Sequence, residues 1–253
     1  MSNSNLVNYT RISPNRNSPR NHAIDRISIH CVVGQCTAER IGEIFAPESR
    51  EASSNYGIGL DGRIGMYVEE KDRSWCTSSG ANDHRAVTIE VASDTAHPYA
   101  VKTAAFSALL DLCTDICKRN GKKRLLWFGD KEKTLAYTPK ADEMVLTVHR
   151  WFANKACPGE YLYSRHGEIA EEVTKRLAAA DKPAEPTAPA GTGDNPSAWA
   201  KAATEYCKRK GIFAGDGAGN FDWQKPITRE QVAAVLYRTL ERAGLLEALP
   251  DKE

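Results

Sequence analysis

Hydrophobic and polar residues alternate along several short segments in the first half of the chain. Within residues 24–33, Ile27, Ile29 and Cys31 fall on one face and His30 falls on the other. A period of two residues is typical of a β-strand with one buried face. The pattern therefore predicts a strand that presents His30 on the face opposite its isoleucines.

Other segments give the remaining elements of this region. Residues 56–60 and 63–68 flank Asp61-Gly62, a dipeptide typical of a two-residue hairpin turn. Apolar spacing predicts further strands over 86–91 and 124–128, and helices over 98–120 and 160–177. Strands interleaved with helices predict an α/β domain, with a mixed central β-sheet flanked by helices.

The composition changes sharply after this domain. Residues 178–193 are rich in Pro, Ala, Gly and Thr, which cannot build a core, so they predict a linker. We therefore divide the chain into a polar N-terminal extension, a large domain, a linker and a small helical module, at residues 1–21, 22–177, 178–196 and 197–246.

Composition and charge exclude several classes of protein. The chain has 253 residues, 41% hydrophobic and 26% charged, with a net charge of +1. It lacks the basic excess of a general nucleic-acid binder, and no apolar run approaches the ~18 residues that span a bilayer. The polar residues 1–20 lack a secretory signal, so we expect synthesis in the cytoplasm. Seven irregularly spaced cysteines do not form a disulfide framework.

Three residues have the chemistry of a metal site. His149 and Cys157 lie in one short segment that ends at Pro158, and His30 lies over 100 residues upstream. Two imidazoles and a thiolate can hold zinc and leave its fourth position for water. Two alternatives are that these residues are unrelated, or that they hold copper, which would want a weak axial ligand such as methionine.

These residues, in this order, resemble the zinc-dependent N-acetylmuramoyl-L-alanine amidases of the type 2 amidase and peptidoglycan recognition protein family, and phage lysins most of all. The resemblance covers about residues 22–177. It implies one Zn²⁺ in the catalytic domain, with His30, His149 and Cys157 as its ligands.

The resemblance also implies roles for residues around the zinc. Tyr56 matches a tyrosine that points at the zinc water or the substrate carbonyl, Glu90 a general base, and Lys155 a lysine that stabilises the oxyanion. Trp75 matches a substrate-groove segment, in which Cys76 stands where the family often has histidine. Each also has an ordinary structural explanation, and the choice of base between Glu90 and Tyr56 stays open.

The C-terminal module resembles one surface-layer homology repeat. Its hallmarks are Trp199, a glycine-rich turn over 215–221, and Arg229-Glu230 at the start of a helix with a predicted Thr228–Gln231 capping box. The resemblance implies binding of a secondary wall polymer, with Trp199, Arg229 and Glu230 as contacts. Because such repeats usually occur in threes, association of the module with other copies of the chain is an alternative to weak anchoring. We prefer an ordinary turn to a calcium loop over 215–221.

Together these features predict a peptidoglycan hydrolase that cleaves the amide between the lactyl group of N-acetylmuramic acid and L-alanine. A phage or prophage endolysin, released to act at the cell wall, is the expected setting. Peptidoglycan and a secondary polymer of Gram-positive walls are the expected partners, without nucleic acid and without membrane insertion. The alternatives are a non-catalytic peptidoglycan recognition protein and an anchoring factor.

Overall fold

The computed structural model describes residues 2–181, 195–216, 219–225 and 227–246. The chain divides into two compact units, Met1–Lys182 and Pro183–Glu253, and each is described by itself. Most of the predicted linker, and part of the predicted glycine-rich turn, lie outside the described residues. No helix among the described residues is long and apolar enough to cross a membrane.

A seven-stranded mixed sheet forms the centre of the first unit, as the alternating segments predict. Its strands lie in the order β1-β5-β4-β7-β3-β9-β8. β4 and β5 form the antiparallel hairpin, whereas β3 pairs in parallel with β7 and β9. β2 and β6 form a separate two-stranded ribbon. The strands are β1 (Val7–Thr10), β2 (Arg16–Asn17), β3 (Arg26–Cys31), β4 (Tyr56–Ile58), β5 (Ile64–Met66), β6 (Arg73–Ser74), β7 (Ala86–Val91), β8 (Arg124–Leu126) and β9 (Glu143–Thr147).

Helices cover the two faces of this sheet differently. Apolar side chains of β3, β4 and β7 pack with those of α3 and α6 in the main core, whereas α1 packs on β1, β4 and β5. The helices of this unit are α1 (Ala38–Phe45), α2 (Gly80–Asp83), α3 (Thr103–Arg119), α4 (Lys131–Ala136), α5 (Gly159–Tyr163) and α6 (His166–Asp181). The helix predicted over 98–120 is shorter in the structure, where α3 begins at Thr103. The helix predicted over 160–177 is two helices, because the chain turns at Ser164-Arg165.

A glycine permits the close packing of α1 on the sheet. A Cβ atom on Gly57 would lie 2.6 Å from the Tyr67 ring and 2.9 Å from Ile41. Such distances are too short for carbon contacts, so β4 can lie this close to the Tyr67 ring only with glycine at position 57. Tyr67 and Ile41 thereby fill the small core beneath α1.

The N-terminal residues, predicted as a polar extension over 1–21, pack as part of the first unit. β1 pairs in parallel with β5 at the sheet edge. Arg20 is buried, and its guanidinium donates hydrogen bonds to the backbone carbonyls of Glu70, Asp72, Asp83, His84 and Ala86. Polar composition suggested an exposed tail, but a buried arginine with this many acceptors is satisfied inside a fold.

Among the described residues of the second unit, the α-helices are α7 (Lys201–Arg209) and α8 (Arg229–Ala243). The predicted capping box is present: the Thr228 hydroxyl accepts from Gln231 N, and Thr228 N donates to the Gln231 side chain. Gly244 follows α8 with a φ of 68°, a left-handed conformation that often ends helices.

Candidate metal centre

Three parallel strands bring the two histidines together. In the ladder between β3 and β7, His30 pairs with Glu90, and in the ladder between β3 and β9, Ser28 pairs with Thr147. The same register, continued by two residues, places His149 beside His30. The two imidazole centroids are 5.1 Å apart. Because paired residues of neighbouring strands face the same side, Glu90, His30 and His149 form one row across the sheet.

Cys157 joins this row from the loop that follows His149. Its Sγ lies 3.3 Å from His30 Nδ1. The loop folds back on itself, since Arg150 N donates to Cys157 O and the Arg150 guanidinium donates to Ala156 O. One donor atom from each of His30, His149 and Cys157 lies within 4.8 Å of the others.

The chemistry of this donor set fits zinc. Burial lowers the pKa of His30 well below its usual value, and it also lowers that of His149, with the Lys155 charge as the second cause. Both imidazoles are therefore neutral at pH 7, which is the form that binds metals. Nε2 of His30 is buried without a hydrogen-bond partner among the described residues. A contact with the Cys31 thiol, and then burial, raise the pKa of Cys157, so metal binding must displace its proton.

Glu90 borders the donor set on its other side. Its Oε1 lies 4.0 Å from His30 Nδ1, and the Cys76 thiol donates to it at 3.8 Å. Burial raises the pKa of Glu90 to about 7, although the Cys76 contact and the Arg50 charge oppose this. A carboxyl group that titrates near neutrality suits a general base. His30, Cys76 and Glu90 also form a second set of metal-binding atoms within 4.8 Å of one another.

Tyr56 lies on the opposite face of the sheet, so its predicted position at the zinc is wrong. In the ladder between β4 and β7, Tyr56 pairs with Ile89, whereas Gly57 pairs with Glu90. The Tyr56 ring is buried in the main core, and its hydroxyl donates to Glu70 at 2.7 Å. Burial raises its pKa far above the usual range, so the phenol stays protonated. In this structure Tyr56 therefore packs in the core and does not face His30 or Glu90.

Lys155 and Trp75 occupy different surroundings. Lys155 is exposed on the loop between His149 and Cys157, and its charge helps to lower the pKa of His149. Trp75 is half-buried, and its indole N–H donates to Asn17 Oδ1 at 2.7 Å. Its neighbour Cys76 contacts Glu90, so the segment borders the donor set. The substrate-binding role of Trp75 remains a prediction.

Ser78 is a further residue beside His149 that the sequence patterns do not predict. Its Oγ lies 3.0 Å from His149 Nε2, and its φ is 61°, a left-handed conformation that non-glycine residues rarely adopt. Strained backbone of this kind is commonly found at functional sites. No residue pattern signalled Ser78, because its position depends on the turn between β6 and α2.

The predicted wall-binding residues are exposed in the second unit. Trp199 is 88% exposed in the short 3-10 helix before α7, which is unusual for a side chain of this size. Arg229 and Glu230 are exposed in the first turn of α8. Their part in binding remains a prediction.

Two family profiles match the chain. The profile described as N-acetylmuramoyl-L-alanine amidase matches residues 19–160, and the profile of the S-layer homology domain matches residues 194–233. The first match spans more than half of the chain, which therefore belongs to the N-acetylmuramoyl-L-alanine amidase family. No curated protein sequence gives a significant match.

Several solved structures are similar to the chain. A mutant endolysin from Bacillus subtilis is 13% identical, covering 66% of this chain and 99% of its own, with a TM-score of 0.47. The endolysin LysCS from Clostridium intestinale URNW, an N-acetylmuramoyl-L-alanine amidase, is 18% identical over 68% of this chain and 93% of its own, with a TM-score of 0.43. An AmpD derivative is 17% identical, covering 67% of this chain and 99% of its own, with a TM-score of 0.47.

Proposed function

We propose that the first unit is a zinc-dependent hydrolase that cleaves the amide between the lactyl group of N-acetylmuramic acid and L-alanine in peptidoglycan. The observation that carries the proposal is the row of His30 and His149 with Cys157, bordered by Glu90. Family membership gives the peptidoglycan amidase class. The donor set supports zinc as the metal, and the adjacent buried carboxyl group supports Glu90 as the base.

The ligands and Glu90 have distinct tasks in this reaction. His30, His149 and Cys157 would hold the ion, and a zinc ion supplies Lewis acidity that polarises a carbonyl and lowers the pKa of water. Glu90 accepts a proton from the water that attacks the lactyl carbonyl carbon. Glu90 then returns this proton to the nitrogen of L-alanine as the C–N bond breaks. The products are a lactyl carboxylate and a peptide with a free amino terminus.

Lys155 stabilises the charge that develops on the carbonyl oxygen. It lies two residues before Cys157 on an exposed loop, and its charge reaches His149. A cation near a developing oxyanion lowers the barrier because it interacts more strongly with the transition state than with the substrate.

The second unit would hold the enzyme at the wall. A match to the S-layer homology domain supports binding of a secondary wall polymer of Gram-positive bacteria, with Trp199, Arg229 and Glu230 as contacts. A lytic domain joined to a wall-binding domain fits an endolysin of phage or prophage origin.

The deciding experiment measures new free amino groups released from purified Gram-positive peptidoglycan, before and after zinc is stripped and restored. Reducing sugar is followed in parallel. We expect zinc-dependent amines with alanine as the new terminus and no new reducing ends. Tight wall binding without any amine release would instead indicate a non-catalytic recognition protein.

A further inference from the structure

A second thiol lies against the cysteine of the donor set. Cys31 ends β3, one residue after His30, and its side chain is buried in the main core. Cys157 packs against the same core from the loop that follows His149. The two thiols contact each other, and Cys157 Sγ also lies against the backbone N–H of Cys31.

The Cys157 sulfur therefore has two neighbours that would use it differently. On one side it lies 3.3 Å from His30 Nδ1, within the set of atoms proposed to hold zinc. On the other side it contacts the Cys31 thiol. Cys31 itself belongs to neither donor set of the described residues. A sulfur bonded to Cys31 is no longer a thiolate, so Cys157 can serve only one of these neighbours at a time.

The surroundings of the two thiols permit a covalent bond between them. Both are free cysteines. The sulfur atoms of a disulfide are ~2.05 Å apart, so thiols in contact must approach further before they are joined. Cys31 is fixed in its strand, but Cys157 follows residues 154–156, which are exposed and belong to no helix or strand. A small movement of this loop would bring the sulfurs together and leave the sheet unchanged.

We propose that Cys31 and Cys157 form a redox pair, in which a disulfide between them prevents zinc binding. The loss of zinc rests on the proposed function, which makes Cys157 a metal ligand. The disulfide itself depends only on the contact between the two thiols. Zinc occupancy and oxidation of the pair are then mutually exclusive states of the catalytic domain.

A hydroperoxide is an oxidant class that balances this step. One thiolate attacks the O–O bond of hydrogen peroxide, which breaks to give a sulfenic acid and, with the proton of that thiol, one water. The other thiol attacks the sulfenic sulfur, so the S–S bond forms, the S–O bond breaks and a second water leaves. Two thiols are oxidised to one disulfide, and one peroxide is reduced to two waters.

Zinc bound to Cys157 should oppose this oxidation. A thiolate engaged with a metal ion is not free to attack the peroxide, and Zn²⁺ has no redox chemistry of its own. Disulfide formation should therefore be fast in a metal-free chain and slow in a zinc-loaded one.

The test exposes the full chain, either stripped of metal or loaded with zinc, to an equimolar amount of hydrogen peroxide. Peptide mass mapping after the free thiols are blocked identifies disulfides directly and needs no catalysis. In the metal-free chain we expect a Cys31–Cys157 disulfide and no zinc uptake until a thiol reductant is added. The zinc-loaded chain should keep both thiols at the same dose.

Variants separate this pair from the other cysteines. Cys31→Ala should take up zinc as the parent chain does, and it should form no disulfide at Cys157 under the same treatment. Cys36→Ser is the matched control, because Cys36 is also a free cysteine near Cys31 in the chain and belongs to neither donor set. It should form the Cys31–Cys157 disulfide as the parent chain does. Mapping of the parent chain decides the proposal even if Cys31→Ala does not fold.

The outcomes distinguish this inference from the proposed function. Zinc-dependent amine release by the reduced chain, without a Cys31–Cys157 disulfide after peroxide, would retain the amidase and overturn the redox pair. A disulfide that abolishes zinc uptake, in a chain that releases no amines, would retain the pair and reject the amidase. A mapped disulfide that leaves zinc uptake unchanged would overturn both the pair as a switch and Cys157 as a ligand.

Discussion

Glu90 and Tyr56 lie on opposite faces of the same sheet, although both were candidates for the general base. β4 is aligned with β7 so that Gly57, and not Tyr56, pairs with Glu90. Side chains alternate between the faces of a strand, so this register turns Tyr56 into the main core and turns Glu90 towards His30. The geometry thereby leaves Glu90 as the candidate base.

We predict opposite consequences for substitutions at these two residues. Glu90→Gln should lower kcat by about 10²–10⁴-fold, the usual contribution of a general base, with bound zinc retained. Tyr56→Phe should leave kcat unchanged and lower the free energy of unfolding by about 1 kcal/mol, because it removes the hydrogen bond to Glu70. Steady-state kinetics and urea denaturation measure both. A large loss of kcat in a folded Tyr56→Phe protein would contradict this assignment.

Cys157 should be needed for metal binding. Cys157→Ser should lower zinc content in a dialysed sample and reduce activity by at least about 100-fold, since the ion supplies Lewis acidity to the reaction. Cys36→Ser is the matched control, because Cys36 is also a half-buried free thiol but belongs to neither donor set. Metal analysis together with amine release would reject the ligand assignment if Cys157→Ser kept zinc and full activity.

Lys155 should act on the transition state alone. Lys155→Met should lower kcat by about 10²–10³-fold, as removal of one oxyanion donor does, while KM and zinc content stay the same. The residue is exposed, so stability should not change. Lys118→Met, an exposed lysine on α3, serves as the control. An effect on KM alone would indicate that Lys155 binds substrate and transition state equally.

Protonation of His166 should destabilise the protein in acid. The residue is buried against Trp127, with ring centroids 4.6 Å apart, and burial lowers its pKa to about 4. Between pH 6.5 and 4 the unfolded chain binds a proton that the folded state does not, so the free energy of unfolding falls as pH decreases, by up to about 3 kcal/mol.

His166→Gln should remove this part of the pH dependence. Urea denaturation of both proteins at pH 7.5 and pH 4.5 gives the difference, in which the titration of other groups cancels. Identical pH slopes in the two proteins would show that His166 does not contribute.

The exposed residues of the second unit should act in wall binding and not in catalysis. In the full chain, Trp199→Ala combined with Arg229→Ala should reduce sedimentation with Gram-positive walls and slow lysis of whole cells. Cleavage of soluble muramoyl peptides should be unaffected. Glu241→Gln, an exposed change elsewhere on α8, is the control. Equal wall binding by all three proteins would contradict the assignment.

Local patterns in the sequence predicted much of the fold. Strand period, the Asp61-Gly62 turn and the Thr228–Gln231 capping box depend on residues close together in the chain, so β3, the hairpin and the start of α8 were found. Polar composition misled at the N-terminus, because Arg20 finds its carbonyl partners up to 66 residues away. Such partners exist only after the chain has folded.

The sequence by itself determined the donor types: two imidazoles, a thiol and a carboxyl group, with His30 on the polar face of its strand. Only the tertiary structure decided which of them meet. Strand register placed Glu90 and not Tyr56 beside His30, and the turn after β6 brought Ser78 to His149. The physical reason is that register and burial depend on long-range contacts, whereas residue type and period are local.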